Sequence, residues 1–205
     1  MQSAQAGADD GAMKNLLLAL ALAIACTGEA IATEVSESVI LVAKRTLRDR
    51  FYGATILVAR PVGNDQHIGF IVNRPSKIRL SQLFPEHEPS KKVTDPVYVG
   101  GPINADSIFA LVQVDKSPGG HSVRLTNNLF VVIDSALVDN VIENQAGKAR
   151  YVAGLVAWRT GELREEIKRG AWHVMDVDPA LVLRKSTEGL WEELVQRSEL
   201  RSNGI

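Results

Sequence analysis

The sequence has almost no cysteine: Cys26 is the only one in 205 residues. It lies in an apolar stretch near the N-terminus, so residues 33–205 contain none. This absence excludes disulfide bonds, thiol catalysis and cysteine-ligated metal sites from that part of the chain. Residues 33–205 must therefore be stabilised by an apolar core, and a segment of this length can bury one.

The chain also lacks an excess of charge of either sign. It has 24 acidic and 23 basic side chains, a formal charge of −1, and removing residues 1–32 brings the remainder close to +1. Proteins that bind DNA or RNA independently of sequence need a basic surface. We therefore do not expect nucleic-acid binding, and the 45% hydrophobic and 23% charged residues are ordinary for a globular domain.

No apolar run is long enough to span a membrane. The longest, residues 16–26 (LLLALALAIAC), is short of the roughly 20 residues that a spanning helix requires. Lys14 precedes it and the small residues Ala30 and Ala32 follow, which is the pattern of a secretory signal peptide. We predict that residues 1–32 are an N-terminal extension with a signal peptide, that cleavage occurs near Ala32, and that the mature chain has no transmembrane helix.

The location that follows is the periplasm or another exported compartment. Residues 1–12 are polar and acidic, unlike the start of a signal peptide, so Met13 is an alternative translation start. Three alternatives remain open: residues 16–25 are a buried helix of the domain, Cys26 carries a lipid, or the leader is not translated and the protein is cytoplasmic.

The remaining chain alternates short apolar runs with segments of helical period. The runs are rich in β-branched residues and bounded by turn formers, as expected for strands; they cover residues 39–43, 54–59, 68–72, 97–99, 108–114, 129–133 and 151–157. Helices are predicted at 79–84, from Asp134 or Ser135 to Gly147, at 160–169, after Asp178-Pro179, and from Ser186 or Thr187. Without a repeat or linker, residues 33–205 are predicted to be a single compact α/β (or α+β) domain with a mixed sheet flanked by helices.

The first candidate site lies where a buried strand runs into Asn73-Arg74-Pro75. Proline fixes φ and lacks an amide donor, so it ends the strand. The guanidinium of Arg74 presents a fork of donors that suits a carboxylate or phosphate. The motif indicates either an anion or partner site at a strand end, or a strand-ending turn whose arginine pairs with a carboxylate of the domain.

The second candidate is Gly100-Gly101-Pro102, which follows the predicted strand 97–99. Paired glycines allow close backbone approach, and their amides could form an anion nest. The sequence is neither a P-loop nor a dinucleotide-binding motif. A tight turn between a strand and a loop is the alternative.

The third candidate is the end of the last predicted strand at Trp158, followed by Gly161, Glu162 and Glu166. Residues four apart share a helix face, so Glu162 and Glu166 could form a carboxylate pair for acid–base chemistry or metal binding. Acidic residues in a first helical turn are also favoured by the helix dipole alone.

Motifs of known catalytic systems are missing. The chain has no G-x-S-x-G, S-x-x-K or H-E-x-x-H sequence, and its four histidines are scattered among polar neighbours. Glu86-His87-Glu88 has ligand chemistry, but adjacent residues on one loop rarely complete a metal site. We expect no catalytic residue, no metal and no cofactor.

Read in order, these segments resemble the AlgH-like family of bacterial proteins, also called the YqgE family. Three separated motifs carry the resemblance over roughly residues 38–195: ILVA followed by RDRF and GFIVNRP, PVYVGGPI, and GLVAWRTGELREEI with Trp172 and Trp191. The chain departs from the family where the usual Gly-Trp-Gly is Ala157-Trp158-Arg159, and in carrying a leader. The resemblance implies a compact α+β or α/β fold and supplies no catalytic mechanism.

The function that we expect is a non-enzymatic binding or accessory and regulatory domain of the cell envelope, with an unidentified protein or a small anionic ligand as partner. Its predicted binding residues lie at strand ends, where open sheets present clefts: Asn73, Arg74, Pro75, Gly100, Gly101, Pro102, Trp158, Gly161 and Glu162. One alternative is a hydrolase or phosphate-ligand enzyme in which Arg74 clamps an anion and Glu162 or Glu166 is the base. The other is a cytoplasmic transcription-associated regulator.

Overall fold

The computed structural model describes residues 37–202 and residue 204. The predictions on the translation start, the signal peptide, Cys26 and the cleavage point at Ala32 lie outside the described residues. All described residues belong to one compact unit.

The described part of the chain contains ten strands and five α-helices. The strands are β1 (Val39–Ala43), β2 (Ile56–Gly63), β3 (Gln66–Ile71), β4 (Pro75–Arg79), β5 (Pro96–Val99), β6 (Ile103–Gln113), β7 (Ser122–Arg124), β8 (Leu129–Val132), β9 (Ala149–Trp158) and β10 (Trp172–Asp176). The helices are α1 (Leu80–Leu83), α2 (Ser135–Gln145), α3 (Glu162–Lys168), α4 (Pro179–Val182) and α5 (Leu190–Ser202), with 3₁₀ turns at Glu88–Lys92 and Ala146–Lys148.

The strands form one mixed sheet in the order β10-β1-β2-β3-β9-β6-β8-β7, with β4 and β5 off this path. Every pair is antiparallel except β5 with β9. Strand β9 is the centre of the arrangement, because it pairs with β6 along one side and with both β3 and β5 along the other. The predicted single compact domain with a mixed sheet and flanking helices is confirmed.

Alternation along the strands explains the two covered faces of the sheet. In β1, Ile40 and Val42 belong to one buried cluster, whereas Leu41 and Ala43 belong to another. Successive side chains of a strand point to opposite faces, so β1 is buried on both. Leucines and valine of α5 pack on the first face, and Leu163 of α3 packs on the second.

Local sequence accounts for most helix boundaries. The side chain of Asp134 accepts the amide of Leu137 and caps α2, and Asp178 accepts the amide of Ala180 and caps α4. Helix α3 ends where Gly170 takes a φ of 78°, a conformation that favours glycine. The caps at Asp134 and Asp178 and the stop at Gly170 are as predicted.

Three strands were not predicted from the sequence: β4, β7 and β10. Each carries polar side chains and is partly exposed, so none has the apolar run on which the other assignments depend. The last helix begins at Leu190, later than the predicted Ser186 or Thr187. Strand β6 begins at Ile103, five residues before the predicted 108. The prediction missed residues 103–107 because they are exposed and irregularly paired.

The chain crosses over β9 between β5 and β6. Val99 pairs with Ala153 on one side of β9, and Ile103 pairs with Leu155 on the other. At the crossing the two backbones are in direct contact: a Cβ on Gly101 would lie 2.1 Å from the carbonyl oxygen of Leu155. The crossing therefore requires glycine.

Candidate functional site

The clearest candidate site is a pocket of about 490 Å³ beside α3, here called the Glu166 pocket. It lies between the loop that follows β1, the end of α3 and the start of β10. It is lined by Thr46, Leu47, Asp49, Tyr52, Glu166, Arg169, Gly170, Ala171 and Trp172. A smaller hollow of about 120 Å³ shares Tyr52, Glu166 and Trp172 and extends to Trp158 and Glu162.

Glu166 is held by two tryptophans. The indole N–H groups of Trp158 and Trp172 both donate to Oε2 of Glu166, at 3.0 and 2.8 Å. Both indoles are nearly buried, with 5% and 4% of their surface exposed. Because a buried N–H is costly to leave unpaired, these two bonds fix the carboxylate in one position.

Asp49 is held by its own loop in a similar way. Its Oδ1 accepts the backbone amides of Phe51 and Tyr52, both at 2.7 Å. The amide of Gly53 donates to the carbonyl of Asp49, and the hydroxyl of Thr55 donates to the carbonyl of Tyr52. Residues 49–55 therefore form a closed turn that sets the position of the Tyr52 ring.

The pKa of Tyr52 is displaced by its place in the pocket. Partial burial raises the pKa of its phenol, and the negative charges of Glu166, Asp49 and Glu162 raise it further. The phenol therefore stays neutral at ordinary pH, and its hydroxyl can both donate and accept a hydrogen bond.

Asn73 and Arg74 support the Tyr52 loop from behind. The Asn73 side chain accepts the amide of Ile56 at 2.8 Å and donates to the carbonyl of Ala54 at 3.0 Å. The guanidinium of Arg74 donates to the carbonyl of Phe51 at 2.6 Å and lies 4.9 Å from the centre of the Phe51 ring.

Burial lowers the pKa of Arg74. Its guanidinium contacts a backbone carbonyl and an aromatic ring of the domain, and not the carboxylate that the second interpretation of the motif expected. Pro75 begins β4 and pairs with Tyr98, so the three residues hold the loop and the strand that follows.

Gly100 and Gly101 have a packing role at the crossing over β9. The amide of Gly100 donates to the carbonyl of Ala153 at 2.7 Å, and its own carbonyl accepts the amide of Ile71 at 2.8 Å. A Cβ on Gly100 would lie 2.3 Å from the carbonyl oxygen of Gly154. Pro102 is exposed and leads the chain into β6.

Trp158, Gly161 and Glu162 lie together at the start of α3. Gly161 is the N-cap of the helix, with a φ of 78°. The carboxylate of Glu162 folds back to accept the amide of Arg159 at 2.9 Å. Arg164 of the same helix forms an ion pair with Asp65 in the β2–β3 turn.

The structure thus places the third predicted motif at a pocket. The residues of the first motif hold the Tyr52 loop, and those of the second pack at the crossing over β9. Sequence analysis placed Glu162 and Glu166 on one helix face, but it missed Asp49, Tyr52 and Trp172 as parts of the same site. Two signals could have indicated them: the Asp49–Gly53 turn, and tryptophans on both sides of an acidic helix.

The described residues contain no cluster of three or more His, Cys, Asp or Glu side chains that could hold a metal ion. None of the described helices is long and apolar enough to cross a membrane.

These features define a mixed-sheet α/β domain with an acidic, aromatic-walled pocket at α3. The sequence model of the AlgH-like family matches residues 40–203, and the chain belongs to the AlgH-like family. The resemblance drawn from its motifs is therefore confirmed.

Curated relatives match most of the chain at low identity. A UPF0301 protein of Streptomyces avermitilis is 28% identical over 179 residues, which is 82% of this chain and 91% of that protein. A UPF0301 protein of Bacteroides fragilis is 24% identical over 161 residues, covering 77% of this chain and 80% of that protein.

Two solved structures share the fold. The crystal structure of a Corynebacterium diphtheriae protein matches with a TM-score of 0.67 at 21% identity, covering 80% of this chain and 88% of that one. The solution structure of the AlgH protein from Pseudomonas aeruginosa matches with a TM-score of 0.65 at 21% identity, covering 80% and 89%. At this identity the likeness extends to the fold alone.

Proposed function

We propose that this chain is a non-enzymatic binding domain whose small-molecule ligand occupies the Glu166 pocket. The observation that carries the proposal is the fixed arrangement of Glu166 between two indoles, beside a pocket of about 490 Å³. Pockets for small ligands span roughly 300–1,000 Å³ and combine apolar walls with a few fixed polar groups.

The tryptophans give a direct test. The chain has three: Trp158 and Trp172 donate to Glu166, whereas Trp191 donates to the carbonyl of Ala43. We would screen a fragment library by NMR against the protein purified from cells. A pocket ligand should shift the indole N–H signals of Trp158 and Trp172 more than that of Trp191.

A matched pair of variants controls the screen. Glu166→Gln keeps an oxygen that can accept both indoles but removes the charge, and it should weaken the hits. Glu188→Gln, on an exposed side chain that lines neither hollow containing Glu166, should leave them unchanged. If fragments bind without moving either pocket indole, the pocket is not the binding site.

An enzymatic function is the second candidate. The contacts of Arg74 argue against a mechanism in which Arg74 clamps an anion and Glu162 or Glu166 is the base. Its guanidinium donates to the carbonyl of Phe51, and Arg74 lines neither hollow that contains Glu166. Turnover in a broad substrate screen that disappears in Glu166→Gln would replace the binding proposal with an enzymatic one.

We also propose that the protein works outside the cytoplasm, in the cell envelope. The support is the basic, apolar and small-residue pattern of residues 14–32. Fractionation followed by N-terminal sequencing tests this: a mature chain beginning close to Thr33 in the periplasm is expected. An intact N-terminus in the cytosol would overturn it and leave cytoplasmic regulation as the alternative.

A further inference from the structure

We propose that the ligand of the Glu166 pocket is a small organic cation, held through a primary ammonium or guanidinium group. This inference rests on the proposed function and names the class of molecule that the pocket takes. Three features of the described residues lead to it: the aromatic walls, the oxygens that remain available on two fixed carboxylates, and the absence of an ion pair at either carboxylate.

The walls are suited to a positive charge. Tyr52 and Trp172 line the pocket together with Glu166. Aromatic faces attract cations, and the attraction grows when the cation leaves water. The partly buried Tyr52 phenol is neutral, and its hydroxyl oxygen can accept a hydrogen bond from a cationic group.

Each fixed carboxylate has one oxygen occupied and one remaining. Oε2 of Glu166 accepts the two indoles, and Oδ1 of Asp49 accepts two backbone amides. Within the described part of the chain, no hydrogen bond reaches Oε1 of Glu166 or Oδ2 of Asp49. These oxygens are acceptors for the N–H groups of an incoming cation, and such charge-assisted bonds are the stronger kind.

None of the ion pairs formed by the described residues includes Asp49, Glu162 or Glu166. Arg169 lines the pocket, but its Nε donates to the carbonyl of Glu165, and the amine of Lys44 lies near Gly170. Both lie at the Gly170 end of the pocket, so they favour a ligand whose positive end points toward Tyr52.

Three probes of similar shape test the sign of the charge: phenethylamine, 2-phenylethanol and 3-phenylpropionate, with agmatine as a guanidinium probe. Affinity is measured by calorimetry on the processed protein at low and at high salt. We expect the two cations to bind at least about tenfold more tightly than the alcohol or the acid, and to weaken as salt screens the carboxylates. Asp49→Asn and Glu166→Gln should each reduce cation binding about tenfold, whereas Asp115→Asn, on an exposed loop, should not.

The outcomes separate this inference from the proposed function. If library fragments shift the pocket indoles but the best of them are neutral or anionic, the binding domain stands and the cation inference is overturned. If a lysine-containing peptide binds and the free amines do not, the small-molecule assignment is overturned. If no compound of any charge reaches the pocket, both proposals fail.

Discussion

Trp158 and Trp172 stand on two strands that are not neighbours, yet their indole N–H groups end on a single oxygen of one carboxylate. The shared acceptor, Glu166, connects the end of β9, the start of β10 and the helix between them. One side chain thus combines a structural role with a place in the candidate site.

Removing this acceptor should destabilise the fold. In Glu166→Leu two nearly buried indoles lose their partner, and an unsatisfied buried donor costs about 1–3 kcal/mol. We expect the free energy of unfolding, measured by urea titration, to fall by about 2–4 kcal/mol, with a much smaller loss in Glu166→Gln. An equal loss in both variants would mean that charge, rather than hydrogen bonding, is what matters at this position.

The crossing over β9 should not tolerate a side chain. Gly154 has a φ of 75°, and a Cβ there would lie 2.3 Å from the carbonyl oxygen of Gly101. Because both the backbone conformation and the space are unfavourable, Gly154→Ala should cost more than about 3 kcal/mol or prevent folding.

Gly120→Ala is the control for this glycine, because nothing lies within 4 Å of its added Cβ. It should leave the midpoint of thermal unfolding nearly unchanged. A folded Gly154→Ala protein with the stability of Gly120→Ala would contradict the crossing geometry.

Asn73 should control the order of the Tyr52 loop. Asn73→Ala removes both of its bonds, to the amide of Ile56 and the carbonyl of Ala54. We expect a loss of about 1–3 kcal/mol and faster hydrogen exchange at the Ile56 amide. Asn127→Ala, on an exposed turn, is the matched control, and unchanged exchange in Asn73→Ala would count against the supporting role.

Alkaline pH should weaken the fold through two tyrosines. Burial raises the pKa of Tyr151, and burial with nearby carboxylates raises that of Tyr52. In the unfolded chain both phenols ionise near pH 10, while the folded state keeps them protonated. Their stabilising effect is therefore complete below pH 10 and is lost as the pH rises above it.

Unfolding titrations from about pH 9 to about pH 12, on either side of the pKa of ~10 of a free phenol, should show this decline. Tyr52→Phe and Tyr151→Phe should each make it shallower. A parent protein with the same free energy of unfolding across this interval would rule out the shifts.

Tyr151→Phe should be neutral or stabilising at pH 7. The Tyr151 hydroxyl is buried without a hydrogen-bond partner among the described residues. Because burying an unpaired hydroxyl is unfavourable, deleting it should raise the free energy of unfolding by up to about 1 kcal/mol. A fall in the free energy of unfolding by more than about 1 kcal/mol would indicate that a bound water satisfies the hydroxyl.

Much of the fold could be predicted because its inner strands carry their own signal. Strand β1 is apolar throughout and buried on both faces, and its predicted bounds match the structure. Strand β10 could not be found in this way, because Val174 and Asp176 are exposed at the edge of the sheet. Its pairing with β1 depends on contacts that no local pattern contains.

The site was only partly predictable, for a related reason. The helical spacing of Glu162 and Glu166 is local and was recognised, whereas the partners of Asn73 lie 17 and 19 residues earlier in the chain. The sequence shows that Asn73-Arg74-Pro75 ends a strand, but not which backbone groups its side chains will meet. The predictions of an export signal and of the remaining binding residues stay predictions.

The place of β9 has a consequence for how the protein is made. Its three neighbours, β3, β5 and β6, precede it in the chain and are joined to each other mainly through it. Until the ribosome has released Ala149–Trp158, those strands expose edges that can pair with other chains. We therefore expect a nascent chain stalled before Ala149 to need a chaperone, and the sheet to close only when synthesis is nearly finished.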